Sequence, residues 1–192
     1  CLEQIRHSIN HCKNNIAVCE KQIKKCSSAS LAILETKKSA FKDNLLIWNT
    51  MGHIQMASIE MKEYMKRLSV ESIDEWEERD VIKSVYTAIY ETSKKLVDAT
   101  ADIFKFIKHY FPNYDYRAFT DVRKELCRFR ESNTSELTRV RNTIDAHRDV
   151  EVSVQIEVIE GLHLANAVQL IVEYEGIINK LGNETSPIKE LG

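Results

Sequence analysis

Glycine and proline are scarce in this chain, which has 5 Gly and 2 Pro in 192 residues. An all-β protein of this size would need many more turn-forming residues, so that fold class is excluded. Helix-forming and charged residues are abundant instead, and a chain of this length can bury one core. The composition therefore predicts an all-α protein, with residues 1–192 forming a single domain. We expect an up-and-down bundle of five to six helices.

Patterns that would indicate membrane, metal or cofactor chemistry are also missing. No apolar run approaches the roughly 18 residues of a membrane span and no signal peptide is evident, so we expect a cytoplasmic protein without a membrane partner. The five cysteines are odd in number and lack metal-ligand spacing, which favours free thiols in a reducing compartment. A glycine-rich phosphate loop, a G-x-S-x-G elbow and a CxxC pair are absent too. We therefore predict no metal site and no cofactor.

Residues 2–26 carry a regular apolar stripe. Its two rows repeat every seven residues and comprise Leu2, Ile9, Ile16 and Ile23, and Ile5, Cys12, Cys19 and Cys26. This spacing is typical of a helix that packs along a seam. We favour a seam within the bundle over a zipper between two chains, because the pattern fades after Ile33. His7 and His11 adjoin this stripe, but they lack the further convergent ligands of a metal site.

Capping residues and proline predict where the other helices begin and end. The candidate N-caps are Ser30 for the second helix and Ser72 or Asp74 for the third, which must end before Pro112. The remaining helices are predicted at 31–68, about 118–130, about 135–148 and about 153–180. The last of these is apolar around much of its circumference, so we predict that it is the central and most buried element.

Seven aromatic residues lie between Phe104 and Phe119, with Lys105, Lys108 and Arg117 among them. Two interpretations fit this segment. Nucleic-acid bases could stack on the rings, which the mixture of aromatic and basic residues would suit. Alternatively, the rings hold a loop against the bundle without any ligand, and we favour this second interpretation.

The sequence R-N-x-x-x-x-H at Arg141, Asn142 and His147 is the strongest functional signal. It places a guanidinium, an amide and an imidazole within about two turns of a predicted helix. Arginine binds phosphate oxygens through paired donors and histidine transfers protons near neutral pH, so the combination suits a phosphodiester. The composition of the chain gives the strict motif a chance expectation of roughly 0.02, against roughly 0.9 for a looser Arg-to-His spacing. A loose match at Arg6 and His11 is therefore interpreted as coincidence.

Helix geometry leaves two interpretations of the motif open. On an ideal helix Arg141 lies about 9 Å along the axis from His147 and about 120° around it. The two side chains then meet at one phosphate only through the long arginine stem or through a twofold axis between two copies. In the other interpretation Arg141 pairs with Asp145 one turn later, and His147 is a half-buried structural residue beside Leu137 and Val140.

The distribution of charge adds a weaker signal. With 27 basic and 29 acidic residues the chain has a net charge of -2, which excludes a generic nucleic-acid coat. Within the motif region, residues 117–149, the stretch from Arg117 to Arg148 has eight basic and five acidic residues, a local excess of +3. A localised anion site fits this excess, and so does ordinary i,i+4 pairing along a helix.

The motif lies in a late helix of an all-helical chain and continues as Ala146-His147-Arg148-Asp149. In this it resembles the HEPN superfamily, whose signature is an Arg, a polar residue next to it and a His a few residues further on. The resemblance implies a homodimer in which two motifs face each other. It further implies a metal-independent endoribonuclease of the toxin–antitoxin or phage-defence type, with RNA and a protein antitoxin as partners.

The resemblance also implies a role for each motif residue. Arg141 would bind the scissile phosphate and stabilise its added charge, while His147 would be the general base or acid. Asn142 would orient the histidine or the phosphate, and the flanking Arg139 and Arg148 would contribute to RNA binding. The nucleophile would be the ribose 2′-hydroxyl, so the substrate would be RNA and not DNA.

Two other functions stay open at the level of sequence. One is a catalytically silent HEPN-like module that binds a protein partner or a nucleotide, and the other is a purely structural helical adaptor. A symmetric cleft with Arg141 and His147 from both subunits would favour the enzyme. Burial of His147 against Leu137 and Val140 would favour the other two. His163 on the last helix is interpreted as a buried structural histidine in preference to a partner of the site.

Overall fold

A computed structural model describes residues 2–25, 28–70, 73–146 and 151–190, except for the side chains of residues 28–29, 144–146 and 189–190. Within these ranges all regular elements are helical and no strand occurs. They are α1 (Leu2–Ile23), α2 (Ser28–Leu68), α3 (Glu75–Tyr110), α4 (Arg117–Val140), a π-helical segment (Arg141–Ala146), α5 (Val152–Glu160), α6 (Leu164–Thr185) and a 3-10 turn (Pro187–Glu190). The predicted all-α bundle is confirmed. None of the helices in the described part of the chain is long and apolar enough to cross a bilayer.

Helices α2, α3, α4 and α6 enclose the core. Each contributes at least one side chain without exposed surface, among them Ile47, Ile89, Leu126 and Ile178. Tyr174 of α6 joins three of these helices. Its ring stacks on Phe129 of α4 at a centroid distance of 5.4 Å, and its hydroxyl donates to Thr92 Oγ1 of α3 at 2.8 Å. Helix α6 is therefore buried between its neighbours, as the apolar pattern of the C-terminal segment predicts.

Helix α3 begins and ends where its local sequence predicts. The carboxylate of Asp74 accepts hydrogen bonds from the backbone N–H groups of Trp76 and Glu77, at 2.9 and 3.0 Å. This satisfies two of the N–H groups that a helix leaves unpaired at its first turn. At the other end the N–H of Phe111 still donates to Ile107, and Pro112 follows. Of the two candidate caps, Asp74 is confirmed.

The N-terminal stripe packs within the bundle. Ile5, Cys12 and Cys19 are buried in the packing of α1 on α2, whereas Leu2 of the other row is 40% exposed. The small cysteine side chains allow the two helices to approach closely, and burial raises the pKa of the Cys12 thiol. The interpretation as a bundle seam is confirmed for the row of Ile5, Cys12 and Cys19, while Cys26 lies outside the described residues. The prediction of Ser30 as an N-cap is wrong, because α2 already begins at Ser28.

Helix α4 is continuous where two shorter helices are predicted. It runs through the polar stretch after residue 130 and ends only at Val140. The side chains of Asn133 and Thr134 donate to the backbone carbonyls of Phe129 and Arg130, one turn earlier. These polar residues therefore satisfy their hydrogen bonds within the helix and do not interrupt it. The prediction of separate helices at 118–130 and 135–148 is wrong.

The predicted C-terminal helix at 153–180 is two helices. Helix α5 ends at Glu160, just before Gly161, and α6 begins at Leu164. Between them Leu162 is buried in the core. Glycine is a poor helix former, which favours a break at position 161. Only the second half of the predicted helix is central. In α5 Val158 is buried, whereas Val152 is 68% exposed.

The aromatic segment is held against the bundle by contacts between its rings. Phe104 meets Tyr116 edge to face at a centroid distance of 5.5 Å, and Phe119 is buried. Lys108 Nζ and Arg123 Cζ each lie 5.7 Å from the centre of the Phe104 ring. Several rings of this segment therefore pack against the bundle, as the second interpretation predicts, and the stacking of nucleic-acid bases stays untested.

Two part-buried tyrosines next to carboxylates predict a loss of stability at alkaline pH. Tyr64 donates to Glu60 at 3.2 Å and Tyr86 donates to Glu136 at 3.3 Å. Burial, together with the adjacent carboxylate, raises the pKa of each phenol from 10.0 to about 12. As the pH rises from about 10 to about 12, the unfolded chain loses these protons while the folded protein retains them, so unfolding is favoured.

The measurement is the midpoint of urea unfolding as a function of pH, combined with the ultraviolet absorbance of tyrosinate. The double variant Tyr64→Phe/Tyr86→Phe is expected to lose part of the alkaline pH dependence, because it no longer has these two protons to release. Ordinary titration of both phenols near pH 10 in the folded protein would contradict the expectation.

Candidate functional site

The motif starts where α4 changes into a π-helix. The backbone N–H of Arg141 closes α4 by donating to the carbonyls of Leu137 and Thr138. Leu137 and Val140 are buried, so the last turn before the motif is anchored in the core. Residues Arg141–Ala146 then form the π-helical segment, in which hydrogen bonds span five residues instead of four. The predicted α-helical geometry of the motif is therefore wrong in this segment, and π-helical turns are frequent at functional sites.

The guanidinium of Arg141 is held on three sides. Its Nε lies 3.4 Å from Glu91 Oε1 of α3, and its Cζ lies 5.6 Å from the centre of the Tyr90 ring. Its Nη1 donates to Asn142 Oδ1 at 3.2 Å. The carboxylate described beside Arg141 comes from another helix. The side chain of Asp145, the predicted structural partner, lies outside the described ones, so that pairing stays a prediction. Arg141 is thus oriented by two residues of α3 and by Asn142, the next residue in the chain.

The described contacts of Arg141 engage only some of its N–H donors. A guanidinium has five N–H donors, and the contacts described here engage Nε and Nη1. Among the residues whose side chains the structure describes, which do not include Asp145, none forms a hydrogen bond with Nη2. The side chain is 35% exposed, so an anion from solution can reach it. Glu91, with 41% exposure, offsets the charge of the arginine without enclosing it.

The other predicted site residues differ in how far the structure describes them. Asn142 is half-buried and contacts Arg141, which makes it a positioning group for the guanidinium. Arg139 is exposed, and its positive charge partly offsets the increase in the pKa of the Tyr86 phenol. Tyr86 lies one helical turn before Tyr90 on α3. The structure therefore brings Arg141 and Asn142 into contact, and it leaves Arg139 free towards solvent.

His147 and Arg148 lie outside the described residues, so their predicted roles stay predictions. His163 is described and is exposed at the start of α6, where its side chain makes no capping hydrogen bond. The prediction that it is a buried structural histidine is wrong, because the break after Gly161 brings this position to the surface. Among the described residues, no group of three or more His, Cys, Asp or Glu side chains is arranged to hold a metal ion.

Tyr90 and Glu91 were not predicted as site residues from the sequence. They lie about fifty residues before the motif and directly follow Ile89, in a stretch whose apolar spacing indicates core packing. Nothing local in the sequence distinguishes Glu91 from the other acidic residues of α3. Only the docking of the end of α4 against α3 brings its carboxylate to Arg141.

The described part of the site therefore consists of Arg141, its three contacts Tyr90, Glu91 and Asn142, and the exposed Arg139. Comparisons of the chain with family models, curated proteins and solved structures found no match.

Proposed function

We propose that this chain is an HEPN-like RNA-binding protein and a metal-independent endoribonuclease, with Arg141 and His147 as its catalytic residues. The observation that carries the proposal is the arrangement of Arg141. Glu91, Tyr90 and Asn142 orient its guanidinium, while about a third of the side chain stays exposed. A fixed but accessible guanidinium is suited to a phosphate that must be held during reaction.

The reaction is an internal transfer within RNA. The ribose 2′-oxygen attacks the adjacent phosphorus, the bond from phosphorus to the 5′-oxygen breaks, and a 2′,3′-cyclic phosphate forms. Arg141 stabilises the negative charge that builds up on the phosphate oxygens in the transition state. His147 removes the proton from the 2′-hydroxyl or supplies one to the departing 5′-oxygen. Asn142 holds the Arg141 guanidinium in place, and Arg139 and Arg148 attract the flanking phosphates.

A homodimer is part of the proposal. Three apolar side chains of α5, shortly after the motif in the chain, are exposed: Val152, Val154 and Ile156 at 68%, 40% and 39%. Contact between two copies through α5 would cover this apolar surface and bring two motifs together about a twofold axis. A role in a toxin–antitoxin or phage-defence system, with a protein antitoxin as inhibitor, follows from the resemblance of the motif.

A second candidate is a catalytically silent HEPN-like module that binds a protein partner or a nucleotide. One observation favours it. Glu91 lies within ion-pair distance of Arg141 and offsets the positive charge that a phosphate would meet. In such a module the pair would fix the end of α4 on α3, and the exposed face of α5 would bind the partner.

Cleavage of RNA in the presence of EDTA separates the two candidates. We expect the wild-type protein to produce fragments with cyclic phosphate ends, and His147→Ala to abolish cleavage while folding normally. Loss of one histidine should change the free energy of unfolding by only about 1–2 kcal/mol. The matched control is His7→Ala, which removes an exposed histidine of α1 and should cleave like wild type.

Retention of cleavage by purified His147→Ala would refute the catalytic assignment. If wild-type protein freed of co-purifying partners cleaves no RNA, the silent module is the correct account.

A further inference from the structure

A cleft opens between the first half of α2 and the C-terminal end of α3, here called the α2–α3 cleft. It has a volume of about 510 Å³. The residues that define it are Glu35, Ser39 and Asp43 of α2 and Phe106, Tyr110 and Phe111 at the end of α3. Along α3, Phe106 lies fifteen residues beyond Glu91, which corresponds to about 22 Å. The α2–α3 cleft is therefore separate from the Arg141 site, and its volume is in the range of small-molecule sites.

One wall of the cleft is aromatic. The rings of Phe106 and Tyr110 are 5.1 Å apart at a tilt of 48°, and Phe111 meets Phe106 edge to face at 5.7 Å. Tyr110 is 49% exposed, an unusual exposure for so large an apolar surface. The faces of aromatic rings carry partial negative charge, so a wall of this kind attracts cations and alkyl groups.

The opposite wall is acidic. Glu35 and Asp43 are eight residues apart on α2, which corresponds to about 12 Å along the helix. The small side chains of Ser39 and Ala40 lie between them and keep the cleft open. Neither carboxylate forms an ion pair within the part of the chain that the structure describes.

The lysines of this part of α2 do not neutralise the cleft. Lys38 forms an ion pair with Glu20 of α1 at 3.0 Å. The positive charge of Lys42 also lowers the pKa of Glu20. The charge of Glu35 contributes to raising the pKa of Lys38, but the two form no ion pair. At the end of α3, Lys108 lies over the ring of Phe104, outside the set of residues that line the cleft. The ion pair of Lys38 is therefore directed to α1 and not to Glu35 or Asp43.

We infer that the α2–α3 cleft binds an organic cation with alkylammonium groups, of the linear diamine or polyamine class. One ammonium group lies at Asp43 and the second at Glu35, and the methylene chain between them packs on Phe106 and Tyr110. The two positions lie about 12 Å apart along α2, and a chain of about this length reaches from one to the other. An anion would be repelled by both carboxylates, and a neutral alkyl chain would leave them without a partner.

Isothermal titration calorimetry with diaminooctane tests this inference, with octanediol as the probe of the same length and neutral ends. We expect one diamine to bind per chain, and octanediol to bind at least about tenfold more weakly. Asp43→Asn should weaken diamine binding about tenfold and Tyr110→Ala about threefold to fivefold, whereas Tyr110→Phe should keep the affinity.

The matched control is Asp102→Asn, which removes an exposed carboxylate of α3 that pairs with Lys105. It should bind the diamine like wild type. Equal affinities for diamine and diol would overturn the inference, as would an equal loss in Asp102→Asn and Asp43→Asn. Arg141→Ala should leave diamine binding unchanged, so the result does not depend on the proposed ribonuclease function.

Discussion

Replacing Arg141 with alanine is expected to lower the rate of RNA cleavage about a hundredfold to a thousandfold, the effect of losing one group that stabilises transition-state charge. The fold should survive, because the pair with Glu91 is substantially exposed at 35% and 41%. A pair of this kind contributes less than about 1 kcal/mol to the free energy of unfolding. The measurement is the single-turnover cleavage rate in EDTA, together with the circular dichroism of each variant.

The matched control for this variant is Arg128→Ala. Arg128 is an exposed arginine on the same helix, about 20 Å from the motif along α4. Its loss should leave the cleavage rate within about threefold of wild type, since it removes charge without touching the site. Equal losses in Arg128→Ala and Arg141→Ala would mean that general positive charge, and not the motif, drives cleavage.

Arg141→Lys refines the same test. Lysine keeps the charge but lacks the planar fork that holds two phosphate oxygens and contacts both Tyr90 and Asn142. We expect a cleavage rate between those of wild type and Arg141→Ala. Full activity in the lysine variant would contradict the role assigned to the oriented guanidinium.

Replacing Tyr174 with alanine is expected to lower the free energy of unfolding by about 3–5 kcal/mol, the usual cost of deleting a buried aromatic ring. The ring has no exposed surface, stacks on Phe129 and links α6 to Thr92 of α3. For a chain of this size the loss corresponds to a decrease in Tm of about 6–20 °C. Thermal and urea unfolding measure both quantities.

Tyr174→Phe separates the ring from the hydroxyl. It keeps the stacking on Phe129 and removes only the hydrogen bond to Thr92, whose own hydroxyl still donates to Ala88. The expected loss is about 0.5–1.5 kcal/mol. If the alanine variant were no less stable than the phenylalanine variant, α6 would not have the central position in the core that the structure gives it.

Features encoded within a few residues were predicted well. The Asp74 cap and Pro112 bound α3 as expected, because a capping carboxylate and a proline act on the backbone next to them. The buried face of α1 follows from its apolar stripe, because apolar residues repeated every seven positions lie on one side of a helix. The continuous helix predicted at 153–180 was wrong, because the apolar pattern hides the break at Gly161.

The candidate site was predictable only in part. Arg141 and Asn142 are neighbours in the sequence, so the motif alone identified them, and the structure places them in contact. Glu91 could not be found in this way, because its contact with Arg141 depends on how two helices dock. The π-helical segment was equally invisible, since it arises where the end of α4 meets α3 and α5.

The all-α class, the bounds of α3, the buried face of α1 and the identity of the motif all follow from local sequence patterns. Helical periodicity, caps and motif spacing all act over one or two turns, and the residues they involve are close in the chain. Only the tertiary structure decided that α5 and α6 are separate, that Glu91 and Tyr90 hold Arg141, and that aromatic and acidic walls face each other in the α2–α3 cleft. These features join residues far apart in the chain, and their contacts depend on the packing of whole helices.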